Sequence, residues 1–406
     1  MKISGSLKFT GRDPGIVGSE KQRLLNILKK KLKKEDSSKD ISSDSLMGAV
    51  PNLLVGSFNY PRVNTGFLAS SSISDNDTPK SWVRDPSVGI KDIILKRQDL
   101  SNSRFVSDVK SINKFSDNIK EVSLSSKPLD AEVFFDGSPK KEFSLSTDLL
   151  PHGPVASLKK LDVLENPRVP FHIQRAESDV DLKASSAIST LHTKGVDEHY
   201  LSKLISGGTL GVGVQRKLVP TRWSITLVDD SLGKSFIRKI RVFDSCNFSL
   251  FEGSYLGNYF FGLLFPGPWS FELFEAYVPG ARNASDFAFA SDFEGPFSRS
   301  SYANNTSGGY YASRLAALEY FIKNKLRGRV LLFRFITEEY WAPLGVWVVR
   351  EASRNAFSNS PHFFDSKDAL LNHFFLIVLK KFGLNVRSLF RSSKLLKEMD
   401  EQKTLF

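Results

Sequence analysis

Residues 255–265 read YLGNYFFGLLF, and residues 271–278 read FELFEAYV. Both stretches are dense in aromatic and aliphatic side chains, which are the residue types that pack best on a pleated, half-buried surface. The intervening Pro266-Gly267-Pro268 favours a turn and does not fit the interior of a strand. The two stretches therefore predict neighbouring strands in a buried sheet, and this sheet decides the fold of the second half of the chain.

Apolar residues on both sides of this sheet follow helical or strand-like patterns. Tyr311, Leu315, Leu318, Ile322 and Leu326 recur every three or four residues, which is the spacing of one helix face. Similar patterns predict strands at 223–228, 330–336 and 344–349, and helices at 230–241 and 368–382. No repeat of 20 to 50 residues is present, so repeat architectures are excluded.

The first half of the chain is richer in turns. From residue 46 to about 175, short apolar segments alternate with glycine, proline, serine and aspartate, which is typical of strands. Helices are predicted from Ser178 to His192 and from Asp197 to Ile205, the second ending at Gly207. We therefore predict an α+β fold with mixed strands and helices in one large body. A basic helix at 20–34 and a polar linker precede it, and both terminal extensions are expected to be flexible.

The net charge of the chain favours an anionic partner. The 56 lysine and arginine residues outnumber the 44 aspartate and glutamate residues, which gives a formal net charge of +12. Nucleic acid is a common partner for such a protein, although a merely soluble surface gives the same charge. The lone Cys246 excludes an intrachain disulfide and a cysteine-cluster metal site. No apolar run is long enough to cross a bilayer, so we expect an intracellular, cytoplasmic and nucleoid-associated protein with no membrane partner.

The densest group of candidate binding residues consists of Arg216, Lys217, Thr221, Arg222 and Trp223. The lysine and the two arginines can hold phosphates, since an arginine offers two parallel donors, and the indole of Trp223 can stack on a base. In the alternative interpretation, the indole is a core anchor at the start of a strand and Arg222 pairs with Asp229 or Asp230. The sequence leaves both interpretations open.

Three aspartates, Asp179, Asp181 and Asp229, are candidate catalytic acids. The first two stand two residues apart and can act as an acid and base pair or bind a metal ion. The competing interpretation is helix capping, with Ser178 or Asp179 at the N-cap. No histidine or cysteine spacing typical of a metal site is present, so we predict no metal centre and leave the cofactor unknown.

A second candidate nucleotide site lies at the start of the helix predicted near residue 310. Gly308-Gly309 can expose backbone N–H groups to an anion, with Tyr310 and Arg314 close by. Paired glycines also serve as simple turns, and the chain has no full phosphate-loop signature, since the glycine-rich run at 207–213 lacks the Lys-Ser/Thr ending.

The chain closes with Gln402-Lys403-Thr404-Leu405-Phe406. This ending, after an acidic run expected to be unstructured, resembles the clamp-interacting peptides of replication and repair proteins. In such peptides a glutamine amide is fixed by hydrogen bonds, while aliphatic and aromatic anchors fill an apolar pocket. The copy here is short, because no second aromatic residue follows. A frayed tail that ends in two apolar residues by chance is the alternative.

Seven longer stretches resemble, in identity and order, the archaeal NreA/NreB family of DNA repair proteins. They occupy residues 54–66, 77–79, 164–170, 178–184, 216–226, 308–316 and 342–347. The resemblance covers roughly residues 46–382 and implies a role in repair of DNA damage, with a C-terminal clamp-binding motif in NreA-type members. The family commonly begins with a four-cysteine segment that looks like a zinc site. The matching region here reads KFTGRDP at 8–14 and has no cysteine, so this module is expected to be absent or degenerate.

Composition and resemblance together imply four segments: a basic N-terminal segment and linker (1–45), an Nre N-terminal domain (46–300), an Nre C-terminal domain (301–395) and a clamp-binding tail (396–406). The expected function is DNA repair, with recruitment to the PCNA sliding clamp and binding of DNA or a nucleotide at the basic site. An enzyme acting on nucleic acid or on a nucleotide cofactor, by hydrolysis or group transfer, is the alternative. A non-catalytic adaptor that links the clamp to other repair proteins is a third possibility.

Overall fold

Strands and helices are interspersed along the described chain, which confirms the α+β class. The computed structural model describes residues 7–9, 44–71, 78–140, 143–147, 149–278 and 289–403. The chain divides into two units: unit 1 comprises Met1–Ser231 with Ala342–Gly345, and unit 2 comprises Leu232–Trp341 with Val346–Phe406. Among the described residues, the helices lack the length and apolar character that crossing a bilayer requires.

Unit 1 contains seven described strands and six complete described helices. Its strands are β1 (Leu7–Phe9), β2 (Ser45–Val55), β3 (Arg62–Ser70), β4 (Ser101–Asp108), β5 (Leu129–Lys140), β6 (Phe143–Leu145) and β7 (Val155–Val163). Its helices are α1 (Pro79–Arg84), α2 (Ile90–Gln98), α3 (Ser116–Leu124), α4 (Phe171–Ser178), α5 (Ala184–Thr193) and α6 (Glu198–Ser206), followed by the first half of α7 (Thr221–Ile240).

Five of these strands close into a barrel in the order β2-β3-β4-β7-β5. Strands β4 and β7 are parallel, and every other neighbouring pair in the barrel is antiparallel. Strand β2 pairs with β5 over its first half and with β3 over its second half, and the pairing with β3 shifts register between Ala49 and Asn52. Along the chain, helix α3 connects β4 to β5. This strand order and the placement of the helix define the topology of the OB-fold, a five-stranded Greek-key barrel.

The barrel encloses an apolar core because side chains alternate along each strand. On β3, Val63 and Phe67 are fully buried, whereas Arg62 and Asn64, the two neighbours of Val63, are exposed. The core also includes Ile119 of α3, so the helix packs onto the barrel through an apolar side chain. Burying one such large apolar side chain contributes about 1.5–3 kcal/mol to folding.

The described strands of unit 2 are β8 (Asp244–Ser245), β9 (Ser249–Tyr255), β10 (Asn258–Phe265), β11 (Ser270–Tyr277), β12 (Phe289–Glu294), β13 (Leu326–Arg327), β14 (Arg329–Ile336) and β15 (His362–Phe363). Six of them form a sheet with the order β12-β11-β14-β10-β9-β15, in which only β11 and β14 are parallel neighbours, and β8 pairs with β13. The helices of unit 2 are the second half of α7 with α8 (Ser307–Asn324), α9 (Val346–Ser358), α10 (Lys367–Phe382), α11 (Arg387–Ser392) and α12 (Lys394–Lys403).

Helices cover both faces of this sheet, and aromatic rings make the contacts. Phe261 of β10 packs against Phe374 of α10, with ring centroids 5.5 Å apart. On the other face, the ring of Phe251 of β9 lies 4.8 Å from Tyr320 of α8 and 5.4 Å from Phe357 of α9. Because both faces are buried, the strands are almost continuously apolar, as the sequence of residues 258–265 indicated.

Most of the predicted elements are confirmed, but the aromatic stretch at residues 255–265 is not one strand. It is a hairpin, in which β9 and β10 are joined at Leu256 and Gly257 with φ values of 48° and 74°. Two consecutive positive φ values make the tight hairpin turn that matches strand twist. A Cβ atom at residue 257 would lie 2.4 Å from the backbone nitrogen of Tyr340, so this turn needs glycine.

Two predicted strands are wrong, since residues 223–228 and 344–349 lie largely in helices α7 and α9. In α7, the buried residues Ser224, Val228 and Leu232 recur every fourth position, while Trp223 and Leu227, one residue earlier and about 100° away around the helix, are exposed. The apparent alternation came from reading a buried and an exposed side of one helix as the two faces of a strand. Residues 342–350 are all buried, so that stretch has no periodicity from which a helix could be distinguished from a strand.

The helix predicted from Ser178 to His192 begins later than expected, because α5 starts at Ala184 and Ser178 is the last residue of the preceding helix α4. Asp179 follows the end of α4, where its backbone N–H donates to the carbonyl of Arg175. It is therefore a C-cap, and the predicted N-cap at Ser178 or Asp179 is wrong. The helix opened by Asp197 is confirmed as α6, because its Oδ1 accepts from the backbone nitrogen of Tyr200 at 2.9 Å. The basic helix predicted at 20–34 lies outside the described residues.

Candidate nucleic-acid interface

Helix α7 presents Trp223 at the surface of unit 1. Its first residue, Thr221, accepts a hydrogen bond through Oγ1 from the backbone nitrogen of Val55, at the end of β2, at 2.9 Å. One turn on, Ser224 Oγ lies 2.6 Å from Ser206 Oγ in α6. These contacts fix the start of α7 on the barrel and on α6. The helix is therefore anchored on two sides, while the side chain of Trp223 is 45% exposed.

Tyr60 lies against this tryptophan. It belongs to the turn between β2 and β3, whose Tyr60–Pro61 peptide bond is cis. The two ring centroids are 5.0 Å apart with the planes tilted by 50°. Lys217 donates from Nζ to the Tyr60 hydroxyl at 2.9 Å, and the same Nζ lies 5.7 Å from the centre of the Tyr60 ring. A cation and two partly exposed aromatic rings are thus held together.

We call this group the basic–aromatic site, and its members are Tyr60, Lys217, Arg222 and Trp223. Arg222 precedes the tryptophan on α7 and is half-buried. Phe58, 77% exposed, lies two residues before Tyr60 in the same turn. Cations beside exposed aromatic rings form a surface that can hold phosphates and stack on bases.

Arg216, predicted to act with Lys217, has a different environment. Its Nε donates to the carbonyl of Gly211 at 2.8 Å, its Nη2 donates to the carbonyl of Asp179 at 3.1 Å, and its Nη1 lies 3.8 Å from Glu177 Oε1. These partners tie the segment before α7 to the end of α4. The structure therefore gives this guanidinium a supporting role at the edge of the basic–aromatic site.

The three candidate acids differ strongly in exposure. Asp179 and Asp181 are exposed, and Asp179 Oδ1 accepts from the backbone nitrogens of Asp181 and Leu182 at 3.1 and 3.0 Å. This arrangement is a local turn stabilised by an aspartate side chain. Asp229, in contrast, is fully buried within α7. The described contacts of Asp179 and Asp181 are structural, as the capping interpretation expected, although Asp179 caps the end of α4 and not the start of a helix.

The second candidate site, in unit 2, is buried. Tyr310 and Arg314 of α8 have no exposed surface, and Arg314 Nη1 forms an ion pair with Glu294 Oε2 at 2.8 Å. A Cβ at Gly309 would lie 2.8 Å from Glu275 Oε1, so a carboxylate occupies the space beside this glycine. That carboxylate forms an ion pair with Arg334 Nη1 at 2.7 Å, so the charges beside Gly309 already have partners within unit 2. Burial raises the pKa of Tyr310 well above its usual value, with the nearby Glu294 adding to the effect.

Two side chains with nucleophilic chemistry are also internal. Burial raises the pKa of the Cys246 thiol to about 12, so the thiol is protonated at neutral pH and is a poor nucleophile. Burial lowers the pKa of Lys203 to about 8. Its ammonium donates to the carbonyls of Ser125 and Pro51 at 2.6 and 3.3 Å, which makes it a bridge between two backbone segments of unit 1.

The segment that leads to the C-terminal peptide is helical, where the sequence predicted an unstructured run. Glu272 of β11 is buried and accepts hydrogen bonds from Ser393 Oγ and from the backbone nitrogens of Lys394 and Leu395 at 2.6, 3.1 and 3.0 Å. Its carboxylate thereby satisfies the free N–H groups at the start of α12. Burial raises the pKa of Glu272, and its hydrogen bonds partly offset this effect.

Helix α12 packs into unit 2 through Leu395 and Met399 and reaches Lys403. Gln402 therefore lies in its last turn. Leu405 and Phe406 lie outside the described residues.

Tyr60 and Phe58 are the site residues that sequence reasoning missed. Tyr60 and Lys217 are 157 positions apart, and no local pattern joins them. The available signal was the composition of residues 56–61, GSFNYP, in which two aromatic residues stand among turn formers. Large apolar residues in a turn are exposed unless something covers them, so they indicate a binding surface.

The class defined by this architecture is an α+β protein of two units, the first an OB-type barrel with a basic–aromatic site at its edge. Two family models match the chain: archaeal Nre, N-terminal, over residues 21–283, and archaeal Nre, C-terminal, over residues 294–406. The chain belongs to the archaeal Nre family.

Curated relatives agree with this assignment. A DNA repair protein NreA of Haloferax volcanii is 35% identical over 333 residues, which cover 78% of this chain and 79% of the relative. DNA repair proteins NreB and NreA of Archaeoglobus fulgidus are 34% and 35% identical, over 81% and 82% of this chain and 84% and 85% of their own lengths. No solved structure matches the chain.

Proposed function

We propose that this chain acts in DNA repair, binds DNA through the basic–aromatic site of unit 1, and is recruited to the PCNA sliding clamp by its C-terminal peptide. The repair role is supported by the names of the relatives in two archaeal organisms. The observation that carries the DNA-binding part is that Lys217 contacts the hydroxyl of Tyr60 and Trp223 contacts its ring at the surface.

The chemistry of the site fits a polyanion that also has flat apolar groups. Lys217 is half-buried, and its ammonium donates to the hydroxyl of the exposed Tyr60. This hydrogen bond holds the positive charge at the surface. The net charge of +12 attracts DNA at long range, and local cations then fix its backbone. Small apolar ligands would use the rings but would gain nothing from the lysine and arginine.

The first test removes the two cations. We expect the double variant Lys217→Gln/Arg222→Gln to bind a fluorescein-labelled DNA oligonucleotide about tenfold more weakly, because each lost phosphate contact removes a counterion-release contribution. The slope of the logarithm of affinity against the logarithm of salt concentration should fall by about 1.4 to 1.8, which corresponds to two contacts. Fluorescence anisotropy at four salt concentrations measures both quantities.

The matched control is Lys194→Gln/Lys323→Gln, which removes the same charge from two exposed lysines outside the site. If both double variants lose the same affinity and the same slope, only the net charge matters and the basic–aromatic site is not the DNA interface.

The second test concerns the clamp. A peptide with two apolar anchors is expected to bind with micromolar affinity, or about −8 kcal/mol, and deletion of residues 402–406 should abolish the heat of binding to the purified clamp in calorimetry. Because α12 is held by Glu272 and by buried leucines upstream, the truncated protein should unfold at the same denaturant concentration as the full chain.

A matched control for the clamp is Lys403→Ala/Thr404→Ala, which changes the two positions between the glutamine and the apolar anchors. This variant should bind the clamp with unchanged affinity. Binding that survives the five-residue deletion would place the clamp contact elsewhere. Tethering to a ring around DNA raises the local concentration of unit 1 at DNA without any new contact.

A further inference from the structure

We propose that the substrate of unit 1 is single-stranded DNA, which lies across the β3–β4 face of the barrel with its bases stacked on Phe58, Tyr60 and Trp223. This inference rests on the proposed DNA binding and names the kind of DNA that the site selects. Three features of unit 1 carry it: the barrel topology, the fixed ring of Tyr60 with the exposed Phe58 in the turn between β2 and β3, and the side chains on the outer face of β3 and β4.

The topology places the aromatic turn at a defined part of the barrel. In barrels of the order β2-β3-β4-β7-β5, the second and third strands and the turn before them form the surface that binds oligonucleotides. Here β3 and β4 are those strands, and residues 56–61 are that turn. Phe58 and Tyr60 therefore stand at the end of the face along which a strand of DNA would run.

The rings of Tyr60 and Trp223 are held in place before any ligand arrives. Tyr60 is fixed on one side by the ring of Trp223 at 5.0 Å and on its hydroxyl by Lys217 at 2.9 Å. The turn itself is closed by the backbone hydrogen bonds of Gly56 to Asn64 and of Arg62 to Asn59, at 2.8 and 3.0 Å. A platform that is already ordered loses little entropy on binding.

The outer face of β3 and β4 is suited to a nucleic-acid strand. Arg62 and Asn64 of β3 are exposed, and Asn64 stands opposite Val106 of β4, which is 57% exposed. Arg62 stands opposite Asp108, so one acidic group also borders the face. That carboxylate accepts from the backbone nitrogen of Lys110, an exposed residue whose cation lies at the same end of β4.

Exposed rings favour a single strand over a duplex for a geometric reason. In a duplex each base is covered on both faces by its neighbours, so an aromatic side chain has no base face to contact. In a single strand every base offers one, and stacking is nearly independent of sequence. Phosphate contacts alone would favour the duplex, because a duplex carries two phosphate backbones and a higher charge density than a single strand of equal length. Selectivity for the single strand therefore measures the contribution of the rings.

The test compares a fluorescein-labelled 20-nucleotide oligothymidine with a duplex of equal length, using the full chain and fluorescence anisotropy. We expect the single strand to bind at least about tenfold more tightly. Trp223→Ala should weaken binding of the single strand about tenfold and binding of the duplex less than twofold, which is a loss of selectivity. Trp223→Phe should retain most of the affinity for the single strand, since it keeps a ring.

Phe171→Ala is the matched control, because this aromatic residue of unit 1 is 78% exposed and lies outside the turn. It should leave both affinities unchanged. If Trp223→Ala weakens both forms of DNA equally, or if the full chain binds them equally, the stacking inference is overturned while DNA binding stands. Absence of binding to either form overturns both proposals. Tighter binding of oligouridine than of oligothymidine would assign the face to RNA and also overturn the inference.

Discussion

Replacing Arg314 with methionine is expected to lower the free energy of unfolding of unit 2 by about 3–5 kcal/mol, because the change leaves a buried carboxylate without its counter-charge. Both partners of the Arg314–Glu294 ion pair have no exposed surface, and Glu294 also accepts from Trp269 Nε1 at 2.9 Å. The guanidinium lies beside Gly233, where a Cβ would come within 2.7 Å of Nη2. Methionine keeps the volume of the side chain and removes only its charge and its donors.

Urea unfolding followed by tryptophan fluorescence measures this loss. Lys323→Met is the control, since it removes an exposed cation from the same helix and should change stability by less than about 0.5 kcal/mol. The double variant Arg314→Met/Glu294→Gln should recover part of the loss, because the uncompensated charge is gone.

The same variant also decides the role of Arg314 in ligand binding. Since the side chain has no exposed surface and its charge faces Glu294, we expect the affinity for DNA at low denaturant concentration to remain unchanged. A large loss of affinity without a loss of stability would instead restore Arg314 as a ligand-binding residue.

Acidification from pH 7 to pH 4 is expected to destabilise unit 1 by about 3 kcal/mol through His152 alone. Burial lowers the pKa of this histidine from 6.5 to about 4, and the charge of Arg104 contributes in the same direction. Between these two values the unfolded chain binds a proton that the folded state does not bind. Stability is therefore fully present above pH 6.5 and is lost as the pH falls towards 4.

The neutral ring is fixed by two contacts. Nδ1 lies 3.2 Å from the carbonyl oxygen of Gly153, which can only accept, so Nδ1 carries the hydrogen. Nε2 is then an acceptor for Asn102 Nδ2 at 3.4 Å. Protonation of Nε2 would place two donors against each other beside Arg104.

We expect His152→Gln to remove this part of the pH dependence, so that its stability falls less steeply than that of the natural chain between pH 6.5 and pH 4. His362→Gln, at an exposed histidine, serves as the control and should keep the full slope. Chemical unfolding at half-unit intervals of pH gives the comparison. Equal slopes for His152→Gln and the natural chain would show that another group carries the acid sensitivity.

Local signals in the sequence predicted several elements correctly. Asp197 and Ser366 each accept from a backbone nitrogen three residues ahead, at 2.9 and 3.2 Å, and open helices α6 and α10 near the predicted positions. Strand β14 and helix α10 agree with the predicted ranges within two residues. In each case the deciding interaction involves residues that are near in sequence, or a burial pattern that repeats along one element.

Prediction failed where the environment, and not the local pattern, decides the conformation. The stretch at 344–349 is apolar throughout because α9 is buried, so its sequence carries no period. The start of α7 alternates like a strand, yet Thr221 holds it to the end of β2 through a hydrogen bond between residues 166 positions apart. The barrel likewise depends on the parallel pairing of β4 with β7, which no short motif encodes.

For the candidate interface, the sequence by itself determined the charge, the presence of Lys217, Arg222 and Trp223 in one short segment, and the kinship with the Nre proteins. Only the tertiary structure decided the partners of the predicted cations: Lys217 donates to the exposed Tyr60, Arg216 donates to backbone carbonyls, and Arg314 is fully buried in an ion pair with Glu294. The physical reason is that charge and residue type are properties of the chain. Exposure and partnership arise only when segments distant in sequence pack together and compete for the same polar groups.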